Sequence, residues 1–193
     1  MLRFLYDRTL AWAGHRHALW VLAIVAFVES SVFPIPPDVL IIPMVLAARD
    51  KAWRIVLVAT VASVLGGLLG YAIGAGLYEG VGRPILDFYG YVDKFEAFQA
   101  RYNEWGAWIV AGAGFTPFPY KVITIASGVT NLDLTVFIIA SVLSRGARFA
   151  LEVGLLWWFG PPIRIFIERN LPVLTILFFV LLFGGFLAAR YLL

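Results

Sequence analysis

The stretch ASVLGGLLGYAIGAG at positions 62–76 returns at positions 140–154 as ASVLSRGARFALEVG, with Gly67, Gly70 and Gly74 replaced by Arg145, Arg148 and Glu152. One apolar helix has been duplicated, and one copy has acquired three charges. Charge within a hydrocarbon layer marks function by default, and internal duplication is a recurrent construction in membrane transporters.

The repeat reaches beyond that helix. Leu77, Gly82, Pro84 and Ile85 are echoed at the same offset by Leu155, Gly160, Pro162 and Ile163. Upstream, the PIP of Pro34 and Pro36 is echoed by the PFP of Pro117 and Pro119, and Asp38 falls opposite Lys121. Ordered matches across two elements read as two copies of one unit: an apolar segment broken by Pro-x-Pro, followed by a small-residue helix.

Composition identifies the solvent. With 62% hydrophobic residues, 14% charged residues and a mean hydropathy of +0.89, the chain lies far outside the soluble range and reads as an all-α integral membrane protein. The net charge of +3 gives no ground for nucleic-acid binding. Zero cysteines exclude disulfides, thiol catalysis and Cys-ligated metals. No cleavable signal is expected, because the first apolar run lacks a small-x-small site ahead of the next charges.

Segment length separates spanning helices from broken ones, since a crossing needs about 20 apolar residues. Residues 55–78 and 171–189 meet that length without a charge. Residues 18–28 and 39–48 are each too short, and prolines lie between them; residues 105–116 and 121–132 repeat the arrangement. The expected architecture is an inverted repeat of two re-entrant helical hairpins, each followed by a spanning helix, with a further spanning helix at the C-terminal end. In one membrane domain, 1–17 is an interfacial segment and 18–78 the first repeat, with hairpin 18–49 and helix 55–78. Next come an interfacial linker helix at 79–104 and the second repeat at 105–160, with hairpin 105–132 and helix 134–159. Residues 171–190 form the last span. Irregular backbone at membrane depth must be buried in protein or line a wet cavity, because lipid cannot satisfy its polar groups.

Loop charge sets the orientation. Residues 1–17, 49–54 and 160–170 together hold eight Arg/Lys and three Asp/Glu, whereas 79–104, 131–133 and the tail hold four and six. The positive-inside rule then puts the N-terminus in the cytoplasm and makes the two halves antiparallel. An alternative topology lets each hairpin arm span obliquely. His15 and His17 lie in a charged loop with no clustered third ligand and read as surface histidines, so no metal or other cofactor is expected.

Six charges at membrane depth carry the functional reading: Glu29, Asp38, Lys121, Arg145, Arg148 and Glu152. Each costs about 2.5–3.5 kcal/mol at a helix centre, so they must be paired or hydrated. Helical periodicity puts Arg145, Arg148 and Glu152 on one face, and Gly67, Gly70 and Gly74 on the equivalent face of the first copy. The glycines either permit close helix approach or leave room for long side chains opposite. A purely structural ion network is an awkward design, because desolvation offsets most of the Coulomb gain of a buried pair. Lys121, Arg145 and Arg148 suit phosphate oxygens. Glu29, Asp38 and Glu152 are cavity carboxylates able to exchange protons or serve as counter-ions; Asp38 equally suits the N-cap of the helix that follows it.

Glu29 ahead of Phe33 to Asp38 (FPIPPD), the Gly-rich helix, GFTPFPYK from Gly114 to Lys121, Ala126 to Gly128 (ASG) with Leu132 and Phe137, and Arg145 together resemble the DedA family of VTT-domain (SNARE-associated Golgi) membrane proteins, in particular its YqaA-like bacterial branch. The resemblance covers about residues 20–160. It implies opposed re-entrant hairpins and lipid movement across the bilayer, with undecaprenyl phosphate or phospholipids as the bacterial cargo and a proton-motive-force dependence in some relatives. The chain departs from the better-studied branch, whose Arg-Phe-x-Pro-x-x-Arg pattern has Gly114 or Phe115 at the first Arg position and Lys121 near the second; Arg145 and Arg148 are candidate sources of that guanidinium.

The resulting expectation is a non-enzymatic lipid transporter of flippase or scramblase type in the bacterial inner membrane, moving an anionic phosphate-bearing lipid. Proton coupling and homo-oligomerisation are left open. The alternatives are a proton-coupled carrier of a small soluble ion or drug, and a non-transporting membrane assembly protein.

Overall fold

The computed structural model describes residues 17–32, 36–116, 118–160 and 162. The expected interfacial segment 1–17 (but for His17), the last span 171–190, and the break prolines Pro34 and Pro117 lie outside them.

The described residues form seven α-helices and no strand: α1 Ala18–Ser31, α2 Asp38–Ala47, α3 Ala52–Leu77, α4 Arg83–Tyr89, α5 Val92–Phe115, α6 Tyr120–Val129 and α7 Leu134–Gly160. A 3-10 turn, Arg49–Lys51, leads into α3, and a π-helical turn, Tyr78–Gly82, joins α3 to α4. Two continuous helical stretches, Arg49–Tyr89 and Leu134–Gly160, are long and apolar enough to cross a membrane. The 14 residues of α1 reach about 21 Å and the 10 each of α2 and α6 about 15 Å, short of a hydrocarbon core of about 30 Å.

Local chemistry explains the boundaries. Asp133 caps α7, its Oδ1 accepting the Val136 amide at 2.9 Å. Gly90 ends α4 in the left-handed region at φ 67°, which glycine adopts without steric penalty. The N-cap of α2 is Pro37; Asp38 is the first helical residue and its carboxylate turns away to an arginine of α7.

Residues 79–104 differ from the single linker helix expected. The π turn and α4 come first, Gly90 reverses the chain, and α5 then runs unbroken across the boundary expected at 104/105. Its continuity follows from side chains that pin its middle to the end of α6. Gln99 and Asn103 donate to the Thr130 carbonyl at 2.7 and 3.1 Å, and the Tyr102 hydroxyl meets the Ser127 hydroxyl at 3.1 Å.

The glycines of α3 serve close approach. A β-carbon at Gly66 would run into the Phe27 carbonyl of α1, and one at Gly74 into the Ile125 carbonyl of α6; reciprocally, Gly128 of α6 abuts the Tyr71 carbonyl. Helix α3 is thereby clasped between α1 and α6. Two apolar clusters complete the packing. Leu22, Ile41, Val45, Ile55 and Phe149 join α1, α2, α3 and α7, while Val110, Tyr120, Leu132 and Phe137 join α5, α6 and the start of α7. Outside, Leu57, Val61, Leu65 and Leu69 form an exposed stripe along α3, matched on α7 by Ile139, Leu143, Leu151 and Leu155. Such apolar stripes suit a lipid solvent rather than water.

Candidate functional site

Two ion pairs, one helical turn apart on α7, tie the two halves together. In the inner pair, Arg145 Nη2 donates to Glu29 Oε2 of α1 at 3.0 Å, and Arg145 Nε donates to Ser63 Oγ of α3 at 2.7 Å. The Ser63 hydroxyl meets the Ser30 hydroxyl at 2.7 Å, and Ser30 Oγ donates in turn to Glu29 Oε2 at 3.1 Å. The guanidinium also lies between the rings of Tyr120 and Phe149, with centroids at 4.9 and 4.7 Å. Only 2% of Arg145 is exposed. Its charge is satisfied within protein, as a buried guanidinium requires.

The outer pair is open. Arg148 Nη2 donates to both carboxylate oxygens of Asp38 at 3.1 Å, and Arg148 Nη1 reaches the Thr116 carbonyl at 3.4 Å. The side chains are 26% and 27% exposed. Asp38 follows the first chain break and Thr116 precedes the second, so one guanidinium touches the tips of both broken segments. Arg148 sits at the middle of α7. A guanidinium has five donors, and the long contact to Thr116 together with an Nε that has no partner among the described residues leaves capacity for another anion.

Glu152, one turn further along α7, is an electrostatic neighbour of Asp38 and Arg148. Lys121 stands half-buried in the first turn of α6 and has no carboxylate partner among the described residues. Pro36 lies two residues ahead of α2, and Pro119 immediately precedes α6. The structure thus gathers Glu29 with Arg145, and Asp38 with Arg148 and Glu152, but brings Lys121 into neither pair. His17 lies at the start of α1. Among the described residues no three His, Cys, Asp or Glu side chains cluster as a metal site.

Sequence reasoning missed Ser30, Ser63, Tyr120 and Ser141. The repeat itself held the signal for two of them. Ser63 and Ser141 are the one polar residue kept in both ASVL copies, and both accept buried hydrogen bonds: Ser63 from Arg145, and Ser141 from the Tyr120 hydroxyl at 2.6 Å. Each long helix offers its serine to a side chain from the second half. Nothing in the sequence singles out Ser30 beyond its adjacency to Glu29.

A family model described as the VTT domain matches residues 35–157, which include Asp38, Ser63, Lys121, Arg145, Arg148 and Glu152. An uncharacterized protein of Haemophilus influenzae is 36% identical over 170 residues, 88% of each chain. A homologue of that kind from Histophilus somni is 36% identical over 156 residues, 81% of each chain. An uncharacterized protein of Methanocaldococcus jannaschii is 28% identical over 131 residues, 67% of this chain and 78% of its own. No solved structure matches.

Proposed function

The chain belongs to the VTT-domain, or DedA, family of membrane proteins, and on that premise we propose that it moves an anionic, phosphate-bearing lipid across the bacterial inner membrane as a flippase or scramblase. The observation that carries this reading is the position of Arg148. It lies midway along a spanning helix and holds Asp38 from one broken segment and the Thr116 carbonyl from the other. Tips that meet halfway along a helix of membrane length fit re-entrant hairpins, with α1, α2 and α6 too short to cross.

The proposed mechanism follows from competition for one guanidinium. A phosphate presents two or three oxygens to the Arg148 fork and displaces Asp38, which binds through one nitrogen alone. Lys121, on the second broken segment, supplies a second cation, and the acyl chains remain in the membrane. Arg145 acts as a fixed partner to Glu29 that holds the hairpin arm against α7, and the charge-bearing face of α7 stays in register.

Loss of the Arg148 contact leaves Asp38 ionised at membrane depth, which a proton relieves. Glu152 supports this step. Two neighbouring carboxylates repel each other when both are ionised, and a proton on either one relieves that repulsion and lets them share a hydrogen bond. Lipid exchange at Arg148 and proton exchange at this carboxyl pair are thereby linked through Asp38.

The test is reconstitution of the whole chain into vesicles with a fluorescent phosphatidylglycerol or a polyprenyl phosphate in one leaflet. The proposal expects transfer well above that of protein-free vesicles. Transport of a water-soluble anion without lipid transfer, or no transport of either, would instead identify a soluble-ion carrier or an assembly protein.

A further inference from the structure

A cavity lies on a different face of α7 from the ion pairs. Between the start of α3 and the end of α7 runs a cavity of about 430 Å³, whose walls are apolar and include Val56 and Val153. Its mouth is formed by Arg49, Asp50, Trp53 and Trp157. At 100° per residue, Val153 and Trp157 sit roughly 130° round α7 from the Arg145, Arg148 and Glu152 face, so this groove is separate from the ion-pair site.

The rim is basic and aromatic together. Arg49, Lys51 and Arg54 outnumber Asp50, and Trp53, Trp157 and Trp158 are 79%, 53% and 75% exposed. Exposed tryptophans of this kind mark the headgroup level of a bilayer. The Arg49 guanidinium lies against Gly160, in the space a β-carbon would fill there, and so crosses the end of α7 at the mouth of the groove. An apolar slot entered beneath a cationic rim at headgroup height matches one ligand chemistry, an acyl chain attached to an anionic head.

We propose that this groove holds an anionic phospholipid of the adjacent leaflet, its phosphate at Arg49 between Trp53 and Trp157 and one acyl chain along Val56 and Val153. The site binds lipid that is not being transported, and it fastens the ends of α3 and α7 together.

The experiment uses the absence of native cysteine. Gly154 lines the groove, and a β-carbon added there meets nothing within 4 Å among the described residues, which makes Gly154→Cys a mild substitution. The full chain with that substitution is labelled with bimane and placed in nanodiscs containing brominated phosphatidylglycerol or brominated phosphatidylcholine. Leu65→Cys, on the exposed stripe of α3, serves as the lipid-facing reference. The expected result is quenching at position 154 with about a fivefold preference for phosphatidylglycerol, the size of one surface cation's attraction. Arg49→Gln removes that preference, and position 65 shows none in either protein. Equal quenching by the two lipids at position 154 would overturn the proposal. So would quenching at 65 with none at 154, which would mean that protein, such as residues 171–189, fills the groove.

Discussion

Arg148 holds both carboxylate oxygens of Asp38 through a single nitrogen, each at 3.1 Å, while Arg145, one turn away on the same helix, is locked to Glu29 and Ser63 beneath two aromatic rings. The two arginines are three residues apart yet differ in what they can do. One is buried and paired; the other is 26% exposed and, among the described residues, keeps a donor without a partner.

Arg145→Met should destabilise the fold, because it leaves Glu29 without its charge partner. Breaking a buried pair from one side costs about 3–5 kcal/mol, whereas replacing both partners by apolar groups is often neutral. The thermal midpoint of the detergent-solubilised protein should fall clearly in Arg145→Met and recover in large part when Glu29→Leu is added. A double variant no more stable than the single one would remove Arg145 from its role as a strut.

Gly74→Ala and Gly128→Ala should each disrupt the α3–α6 contact, since the new β-carbon meets main-chain carbonyls that cannot swing aside. The expected loss is about 1–3 kcal/mol, the usual range for overpacking. Gly76→Ala, where an added β-carbon meets nothing among the described residues, should be neutral or slightly stabilising. Chemical denaturation in mixed micelles separates these outcomes; equal effects at 74, 76 and 128 would show that the helices do not pack this closely.

Arg49 lies against Gly160, so the start of α3 and the end of α7 are neighbours, and the proposed placement in the bilayer gives them one side. Single cysteines at Lys51 and Phe159 should therefore react with an impermeant maleimide from the same side, and a cysteine at Lys94 from the opposite side. Labelling of Lys51 and Phe159 from different sides would break the antiparallel relation of the halves.

The fold was readable where the sequence repeats and where chain length meets membrane thickness. Both long helices and the short α1, α2 and α6 could be placed from residue counts, because a hydrocarbon layer imposes a length on any helix that crosses it; residues 105–116, expected as a short arm, are instead the end of the 24-residue α5. The junction near residue 104 was not readable. Polar residues such as Gln99 and Asn103 suggest an exposed linker, and only tertiary structure supplies the Thr130 carbonyl that makes them part of one continuous helix. The six charges were visible as a group, but their pairing was not. Helical periodicity gave Arg145 and Arg148 the same face; what separates them is Ser63 on one side and the Asp38 tip on the other, both brought in from distant parts of the chain.

Glu152→Gln should keep lipid transfer within a few-fold of wild type and lose its response to a pH gradient, because glutamine can hydrogen-bond Asp38 without exchanging a proton. Asp38→Asn should lose that response as well and also weaken the hold on Arg148. Lipid transfer measured with and without an imposed pH gradient checks both. A wild-type rate independent of the gradient would dismiss proton coupling and leave the Arg148 site standing.

The role of Arg148 is tested by lipid transfer with Arg148→Ala in reconstituted vesicles, with thermal stability recorded on the same preparation. Transfer should fall at least about tenfold, the effect of losing one charge-assisted contact of about 1.4 kcal/mol or more, with a thermal midpoint much closer to wild type than that of Arg145→Met. A transfer rate equal to wild type in a folded Arg148→Ala protein would contradict that role.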